Sequence, residues 1–286
     1  MRCAIGVDIG GTGIRAARVS VAGRILAHVV QPTAKSADAV VAQIDALIAE
    51  VDSVDVAAIG IGVPGRVDSA RGLVFSGGFV DLSGPPLARR LRNCGTRVPF
   101  LDNDANMALV GESHLGAGSE LAHVVLLTIG TGIGGALMQD GKLVRGRGTA
   151  GELGHVTVDM HGAACVCGRI GCLETASSGT ALGRLIAAAG MPASTTAEEL
   201  LARGDAAARA VLDAWARPLR AGIDSIAASF DPQCVILGGG LGAAACKALA
   251  AFPAVSPWYQ YEVRPAELGA RAGVIGAALA ALGRAP

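Results

Sequence analysis

Residues 3–12 read Cys3-Ala4-Ile5-Gly6-Val7-Asp8-Ile9-Gly10-Gly11-Thr12, an apolar run that ends in a carboxylate and a glycine turn. Further apolar runs follow from Ile14 to Val21 and from Arg24 to Val30, with another tight turn between them. Short runs of this kind, bounded by glycine, predict strands joined by hairpin turns. The chain therefore opens with a unit of strand, glycine turn and strand.

The same unit recurs in the second half of the chain, where the run from His123 to Ile129 meets the turn Gly130-Thr131-Gly132. Helical periodicity follows the first unit, from Asp38 to Glu50. Two halves of this kind predict an α/β fold with two domains. We place the first domain at 1–117, completed by a small-residue-rich helix at 270–286, and the second at 118–269.

Composition favours a globular protein that binds neither nucleic acid nor a membrane. Hydrophobic residues make up 51% of the 286 residues and charged residues 17%, which is enough for a sizeable core. The formal net charge is zero, so bulk electrostatics gives no attraction to phosphate backbones. Every apolar run is too short for a bilayer, and Asp8 interrupts any signal peptide. We therefore expect a cytoplasmic protein whose seven cysteines are reduced.

The glycine turns predict phosphate binding. Gly10 and Gly11 let backbone N–H groups point into one concavity, and Thr12 adds a hydroxyl donor. Asp8 is then placed to meet a magnesium ion through water. An ordinary hairpin turn is the alternative interpretation. The second turn, with Thr131 and Gly132, repeats the pattern.

A third glycine cluster, Gly238-Gly239-Gly240, follows the strand-like run Cys234 to Leu237. Its flat surface suits an adenine ring, and close packing of a helix on a strand is the alternative. Two other glycine triplets fit G-x-G-x-x-G, but a strand rather than a helix follows each, which argues against a dinucleotide fold. They are Gly60, Gly62 and Gly65, and Gly130, Gly132 and Gly135. The phosphate-binding pattern G-x-x-x-x-G-K-[ST] does not occur.

Carboxylates and amides cluster in Asp102-Asn103-Asp104-Ala105-Asn106, between a predicted strand and a predicted helix. Asp and Asn are common helix N-caps, so one such residue has a simple structural explanation. Four polar residues in five exceed what a cap needs. The carboxyl end of a strand is also where open α/β sheets bind ligands.

A loop rich in cysteine and histidine predicts a metal site. Cys165, Cys167 and Cys172 lie within eight residues, and His155 precedes them in Gly151-Glu152-Leu153-Gly154-His155. Three cysteines and one histidine form the closed tetrahedral set of structural zinc. His161 is a competing fourth ligand, and a chance cluster of buried thiols is the alternative.

Together these motifs resemble the ROK family of bacterial sugar kinases and repressors, in the actin-like ATPase superfamily. The resemblance covers nearly the whole chain, and the pattern from Gly151 through Glu174 is its most specific part. It implies a two-domain, ribonuclease H-like fold with an active site in the interdomain cleft. It also implies ATP, magnesium and structural zinc as cofactors, and a homodimer.

The resemblance assigns roles to individual residues. Asp104 is implied as the general base that accepts the proton of a sugar hydroxyl. The implied sugar ligands are Gly65, Asn103, Asp104, Glu152, His155 and Glu174. The implied nucleotide and magnesium ligands are Asp8, Gly10, Gly11, Thr12, Thr131, Gly132, Gly238, Gly239 and Gly240. The implied zinc ligands are His155, Cys165, Cys167 and Cys172.

The resemblance favours an ATP-dependent hexose kinase that acts on glucose at its 6-hydroxyl, with N-acetylmannosamine or another hexose as the alternative acceptor. Ser76-Gly77-Gly78-Phe79 replaces a Pro-Asn-Leu segment of many family glucokinases, so the acceptor stays open. A sugar-sensing regulator is the second hypothesis. Family repressors carry a helix-turn-helix before the first strand, and here that strand begins by residue 3. A non-catalytic zinc-stabilised binding module is the third hypothesis.

Overall fold

A computed structural model describes residues 2–76, 78–254, 256 and 258–284. Contacts divide the chain into two compact units. Unit 1 comprises Met1–Glu120, Arg145–Ala150 and Ala270–Pro286, and unit 2 comprises Leu121–Val144 and Gly151–Gly269. The domain boundaries expected from the sequence stay a prediction. Six residues that fall within the sequence-based assignments lie outside the described residues: Met1, Gly77, Val255, Pro257, Ala285 and Pro286.

Both units contain strands and helices. In chain order the strands are β1 (Cys3–Ile9), β2 (Gly13–Ser20), β3 (Ile25–Pro32), β4 (Val56–Val63), β5 (Arg66–Asp68), β6 (Leu73–Ser76), β7 (Phe100–Asn103), β8 (Val124–Ile129), β9 (Ile133–Gln139), β10 (Lys142–Leu143), β11 (Cys234–Gly238) and β12 (Glu262–Pro265). The helices are α1 (Ala37–Val51), α2 (Leu87–Arg90), α3 (Asp104–Leu115), α4 (Leu173–Ser177), α5 (Gly179–Ala188), α6 (Ala197–Arg203), α7 (Ala206–Phe230), α8 (Gly242–Leu249) and α9 (Ala272–Leu282).

The main sheet of each unit has the same topology among the described residues. Unit 1 has the order β3-β2-β1-β4-β7, and unit 2 has the order β10-β9-β8-β11-β12. In each sheet the first three strands are antiparallel and the last three are parallel. The predicted α/β fold is confirmed, and so is the repeated unit of strand, glycine turn and strand.

Helix α1 illustrates how sequence periodicity builds the core of unit 1. Ser36 caps its N-terminus by accepting a hydrogen bond from the Ala39 backbone N–H. Its buried side chains recur every three or four residues, so one face covers the sheet. They are Val40, Val41, Ile44, Leu47, Ile48 and Val51.

Helix α9 packs tightly on the rest of unit 1, as its small residues predict. Gly276 lies against the backbone of Met107 in α3, and a methyl group at this position would overlap that backbone. Gly6 of β1 and Gly60 of β4 lie equally close to the α9 backbone. Glycine at these contacts allows helix α3 and strands β1 and β4 to approach the backbone of α9 without intervening side chains.

Three local features differ from the sequence-based expectations. The sequence pattern near Thr175 to Ala189 favours a helix, but the structure has two, α4 and α5, because Ser178 is extended and its side chain caps α5 by accepting the Ala181 N–H. The stretch Lys142 to Arg145 favours a strand of four residues, but β10 ends at Leu143. Strand β12 lies in a proline-containing stretch whose sequence gave no clear periodicity.

Candidate functional site

The first glycine turn joins β1 to β2 at one end of the unit 1 sheet. Gly10 N–H donates to the Gly13 carbonyl at 3.1 Å, which closes the turn. The Thr33 hydroxyl donates to the Gly10 carbonyl at 2.6 Å and fixes the turn from outside. Gly11 and Thr12 are exposed at its tip. The turn therefore presents backbone N–H groups and a hydroxyl to solvent at the end of β1.

Asp8 lies beside this turn, and its side chain is 17% exposed. Its carboxylate lies against Gly273 in the first turn of α9, and Arg15 approaches it at 3.6 Å. Burial raises the pKa of Asp8 to about 6, and the charge of Arg15 opposes this rise. The site thus holds a carboxylate whose charge is incompletely balanced, which suits a nearby cation.

The start of α3 brings three predicted residues together. Asn103 caps the helix by accepting hydrogen bonds from Ala105 and Asn106 N–H. Its side-chain amide also donates to the Gly65 carbonyl at 3.0 Å. Gly65 has a φ of +90°, a conformation that glycine adopts readily. Asp104 is the first residue of α3, so its position is set by this cap.

Asp102 supports this helix start from the end of β7. The residue is 1% exposed, and it accepts hydrogen bonds from Asn103 N–H and the Asn106 side chain, each at 2.8 Å. Arg145 Nε donates to its other oxygen at 2.6 Å. The Asp102 carboxylate is therefore well satisfied, and it fixes the segment that carries Asp104. Sequence reasoning missed Arg145, because nothing in its local pattern points to a partner 43 residues away.

The second glycine turn joins β8 to β9 in unit 2. Gly130 N–H donates to the Gly132 carbonyl at 3.0 Å. The first residue of α5, Gly179, donates its N–H to the Gly130 carbonyl at 2.7 Å. The Thr180 hydroxyl donates to the Thr131 carbonyl at 2.8 Å. The N-terminus of α5 therefore fixes this turn.

Glu174 lies beside the second turn. Its Oε2 accepts the Ile133 backbone N–H at 2.9 Å, and a side chain at Gly132 would overlap its carboxylate. The family resemblance implies Glu174 as a sugar ligand. The structure adds that one of its oxygens is bound to the backbone of the glycine turn.

The cluster Gly238-Gly239-Gly240 lies next to the second turn, since Leu241 N–H donates to the Ile129 carbonyl at 3.0 Å. Gly239 has a φ of +76° and packs on the Ile129 backbone, so packing alone requires glycine there. The α-carbon of Gly240 faces open space. A ligand can therefore approach Gly240 more readily than Gly239.

The segment Gly151-Glu152-Leu153-Gly154-His155 packs on β9 through its glycines. Gly154 lies against the Ile133 backbone, and Gly151 lies against Gly135. Leu153–His155 form a single turn of 3-10 helix, and Glu152 precedes it with an exposed side chain. The two glycines thus place Glu152 and His155 close to the second turn.

The predicted metal ligands converge. One ligand atom from each of His155, Cys165, Cys167 and Cys172 lies within 4.8 Å of all the others. His155 Nδ1 lies 3.5 Å from Cys165 Sγ, and Cys167 Sγ lies 3.5 Å from Cys172 Sγ. Tetrahedral zinc separates such atoms by about 3.5–3.8 Å. The donor set and its spacing therefore fit zinc, and His155 rather than His161 completes the cluster.

Backbone hydrogen bonds shape the loop that carries these thiols. Cys165 N–H donates to the Arg169 carbonyl at 2.8 Å, and Gly168, at a φ of +87°, turns the chain between them. A hydrogen bond from the Arg169 backbone lowers the pKa of Cys167 to about 6. Burial raises the pKa of Cys172 to about 12. Cys167 therefore ionises to a metal-binding thiolate more readily than Cys172.

The structure gathers the predicted residues into two groups, one in each unit. The group in unit 1 comprises Asp8, Gly10, Gly11, Thr12, Gly65, Asn103 and Asp104. The group in unit 2 comprises Thr131, Gly132, Glu152, His155, Cys165, Cys167, Cys172, Glu174, Gly238, Gly239 and Gly240. The two glycine turns follow equivalent strands, β1 in unit 1 and β8 in unit 2. Each of these strands has an antiparallel neighbour on one side and a parallel neighbour on the other.

Residues 4–284 match the ROK family, and the chain belongs to this family. Its similar proteins include the glucokinase of Thermotoga maritima, 37% identical over 261 residues that cover 84% of this chain and 82% of that protein. The N-acetylmannosamine kinase of Yersinia pseudotuberculosis is 33% identical over 285 residues, or 96% of this chain and 97% of that protein. These relatives are sugar phosphotransferases.

Solved structures agree with the family assignment. A ROK family glucokinase from Streptomyces griseus, in complex with glucose and AMPPNP, aligns with a TM-score of 0.84 at 33% identity. The alignment covers 98% of this chain and 99% of that chain. ROK sugar kinases have the actin-like ATPase fold, so the fold implied by the sequence motifs is confirmed. Within the described residues, none of the helices is both long and apolar enough to span a bilayer.

Proposed function

We propose that this chain is an ATP-dependent hexose kinase in which Asp104 is the catalytic base. The observation that carries this proposal is the capped start of α3, where Asn103, Gly65 and Asp102 hold Asp104 at the carboxyl end of β7. The relatives named as glucokinases support it, since they match most of the chain.

Asp104 orients the acceptor hydroxyl and takes its proton as the new bond forms. A carboxylate is a weak base for an alcohol. Phosphoryl transfer, however, has a loose transition state in which the proton leaves late, so a weak base suffices. The fixed cap matters because proton transfer requires the base to lie within hydrogen-bond reach of the hydroxyl.

The two glycine turns bind the phosphates of ATP in this proposal. Backbone N–H groups and the hydroxyls of Thr12 and Thr131 donate to phosphate oxygens, while Gly238 to Gly240 accommodate the adenine. Asp8 would hold magnesium through water, and bound magnesium neutralises charge on the transferred phosphate. The raised pKa of Asp8 fits this role, because a cation would restore its ionised form.

Sugar hydroxyls are bound by Asn103, Glu152, His155 and Glu174, with the Gly65 backbone as a further contact. His155 Nδ1 faces the thiol of Cys165, which leaves Nε2 for a hydroxyl. Glu174 keeps one oxygen for the sugar, since its other oxygen accepts Ile133 N–H. Glu174 would thereby connect the sugar to the second glycine turn.

Zinc would be held by His155 and the three cysteines, with a structural role. When bound, it supplies a fixed tetrahedral anchor and leaves no open position for substrate. Elemental analysis of the purified protein should find about one zinc per chain. A protein free of zinc and of other transition metals, with activity intact, would contradict this assignment.

Glucose at its 6-hydroxyl is the acceptor that we propose first, and N-acetylmannosamine is the alternative because a kinase for it aligns along 96% of the chain. A coupled assay of ADP release over aldohexoses and N-acetylhexosamines tests both. Turnover on glucose above all other sugars supports the first. Absence of turnover on every sugar in the panel, from folded protein that binds ATP, would reject a hexose kinase.

We also propose that the protein works as a cytoplasmic homodimer. None of the seven cysteines is in a disulfide bond, which fits a reducing compartment. Light scattering coupled to size-exclusion chromatography gives the mass in solution. A monomeric mass at micromolar concentration would contradict the dimer.

A further inference from the structure

A groove of about 380 Å³ lies in unit 1, between the hairpin β5–β6 and residues 145–148. We call it the arginine groove. Four arginines line it, Arg66, Arg71, Arg145 and Arg147, together with a single carboxylate, that of Asp68, among the described lining residues. None of them is assigned to sugar, nucleotide or zinc above. The groove therefore concentrates positive charge in a protein whose net charge is zero.

The nearby carboxylates, Asp68 and Asp102, balance only part of the charge of these four arginines. Asp68 Oδ1 accepts the backbone N–H groups of Ala70 and Arg71, each at 3.1 Å, and so closes the turn of the hairpin. Arg145 donates to Asp102 through Nε alone, so the two terminal nitrogens of its guanidinium are left for a second acceptor. Arginine is suited to such double use, because its planar fork carries five donors.

Two buried polar atoms of the groove have no hydrogen-bond partner within the described residues. They are the hydroxyl of Ser69, a residue only 8% exposed, and Nε of Arg66. Arg66 is held by its other donors, since Nη2 donates to the Arg147 carbonyl at 3.2 Å. Buried polar atoms in native proteins are normally paired. Both atoms can donate to an acceptor that enters the groove.

We propose that the arginine groove binds the phosphate group of a small molecule. A phosphate offers several oxygens to the guanidinium forks and to the Ser69 hydroxyl, and it supplies the negative charge that the groove lacks. The volume limits the ligand to a small molecule, since pockets for such ligands begin near 300 Å³. The groove residues differ from those assigned to ATP, so this is a second phosphate site.

The phosphate has two candidate sources, free inorganic phosphate and a phosphorylated sugar. Phe75 forms part of the wall, is 44% exposed, and carries the guanidinium of Arg66 at 4.9 Å from its ring centre. An aromatic ring of this kind packs against the C–H face of a sugar. A hexose phosphate as the ligand rests on the proposed kinase function, whereas binding of inorganic phosphate does not.

Titration calorimetry on the full chain tests the proposal, with inorganic phosphate and glucose 6-phosphate as separate ligands. Replacing both exposed arginines, Arg71→Ala with Arg147→Ala, should weaken phosphate binding about a hundredfold, at about tenfold for each lost contact. Arg89→Ala with Arg92→Ala removes equal charge from another exposed part of unit 1, and should leave binding within about twofold. Tighter binding of glucose 6-phosphate than of phosphate identifies the sugar ester as the ligand, and equal binding identifies free phosphate.

Ser69→Ala separates a binding role from a structural one. Because its hydroxyl is unpaired, the variant should keep the melting temperature of the free protein and bind phosphate several-fold more weakly. A lower melting temperature with unchanged phosphate affinity would overturn the assignment. So would loss of phosphate binding in Thr12→Ala together with unchanged binding in the groove variants, because the anion would then lie at the first glycine turn.

Turnover distinguishes this proposal from the kinase proposal. The groove variants should keep basal sugar phosphorylation measured without added phosphate ester. If the chain phosphorylates no sugar but the groove variants lose phosphate binding, the kinase proposal fails and the groove site stands. If sugars are phosphorylated and the groove variants bind phosphate as the natural chain does, the groove site fails alone.

Discussion

The two main sheets have the same strand order, yet different chemistry lies at their strand ends. In unit 1 the glycine turn follows Asp8, a carboxylate whose pKa is raised by burial. At the equivalent place in unit 2, two residues before the turn, lies the neutral Thr128. The carboxylate beside the second turn is Glu174, which comes from α4 and binds the backbone. The common topology therefore positions the two turns, and the side chains beside them differ in charge.

The edge strands differ in the same way. Strand β7 runs directly into α3, so Asn103 caps the helix and Asp104 begins it. Strand β12 occupies the matching edge of the other sheet, but it ends at Pro265 without a helix cap of this kind. A carboxylate fixed by a capped helix thus occurs at one of two similar positions. This difference assigns the proposed base to unit 1, and the following variants test the comparison.

The largest effect is expected from Asp104→Asn. Asparagine keeps the size of the side chain but cannot accept the proton, so turnover should fall by about 10²–10⁴-fold. Asp38→Asn, in the first turn of α1, is the matched control and should keep turnover within about twofold. Far-ultraviolet circular dichroism and melting temperature verify folding of both variants. Equal turnover of Asp104→Asn and the control would mean that the base lies elsewhere.

Cys172→Ser should have the next largest effect, because it removes one of the four predicted metal ligands of unit 2. The described residues of unit 1 contain no such cluster. Loss of a structural metal should cost about 3–5 kcal/mol of stability and release the zinc. Cys246→Ser removes a partly buried thiol of α8 outside the cluster and should retain the metal. Proteolysis should begin near residues 155–172. Retention of zinc by Cys172→Ser would exclude that thiol as a ligand.

Asp8→Asn tests the difference in charge between the two turns. The pKa of Asp8 is raised, so its ionisation destabilises the folded protein without magnesium by up to about 3 kcal/mol above pH 6. The variant should therefore be more stable than the natural chain at pH 7. This advantage should shrink as pH falls from 6 and vanish below about 3.8, where Asp8 is protonated in both states.

Urea unfolding at several pH values, in the presence of a chelator, measures this dependence. Thr128→Val is the matched change at the second turn, and its stability difference should not vary with pH over this range. The same Asp8 variant should lose magnesium-dependent ATP turnover. A stability difference that is constant from pH 4 to pH 7 would show that Asp8 has an ordinary pKa.

The smallest effect concerns how each turn is fixed. A side chain, that of Thr33, donates to the Gly10 carbonyl, whereas a backbone N–H donates to the Gly130 carbonyl. Thr33→Val should cost about 1 kcal/mol and raise KM for ATP several-fold. Thr180→Val removes a hydroxyl from the second turn but leaves the Gly179 N–H in place, so its effect should be smaller. A larger effect of Thr180→Val than of Thr33→Val on stability and on KM for ATP would contradict this difference between the turns.

Local sequence patterns predict most strands of the two main sheets, the glycine turns and the thiol loop, because each depends on residues close together in the chain; β12 is the exception. Gly10 and Gly11 indicate a turn by their own conformational freedom, and Cys165 to Cys172 indicate a metal by spacing alone. The break at Ser178 was missed, since a serine within an apolar periodic stretch resembles an ordinary helix residue until its cap to Ala181 is seen.

Long-range pairing could not be predicted from these patterns. The contact between Arg145 and Asp102 joins residues that lie 43 apart in the chain. The attachment of Glu174 to Ile133 is hidden for the same reason, because 41 residues separate them. Such contacts depend on the completed topology, which a local pattern does not contain.

Helix α9 also constrains the order of events during synthesis. Its glycines and alanines fill the gap between α3 and the strands β1 and β4, but the ribosome adds them about 120 residues after the rest of unit 1 has been translated. At about 5–20 residues per second, the nascent sheet waits roughly 6–24 s with its apolar face uncovered. A chaperone that binds exposed apolar strands would therefore have its longest access to unit 1, and chains released early would be the ones most prone to aggregate.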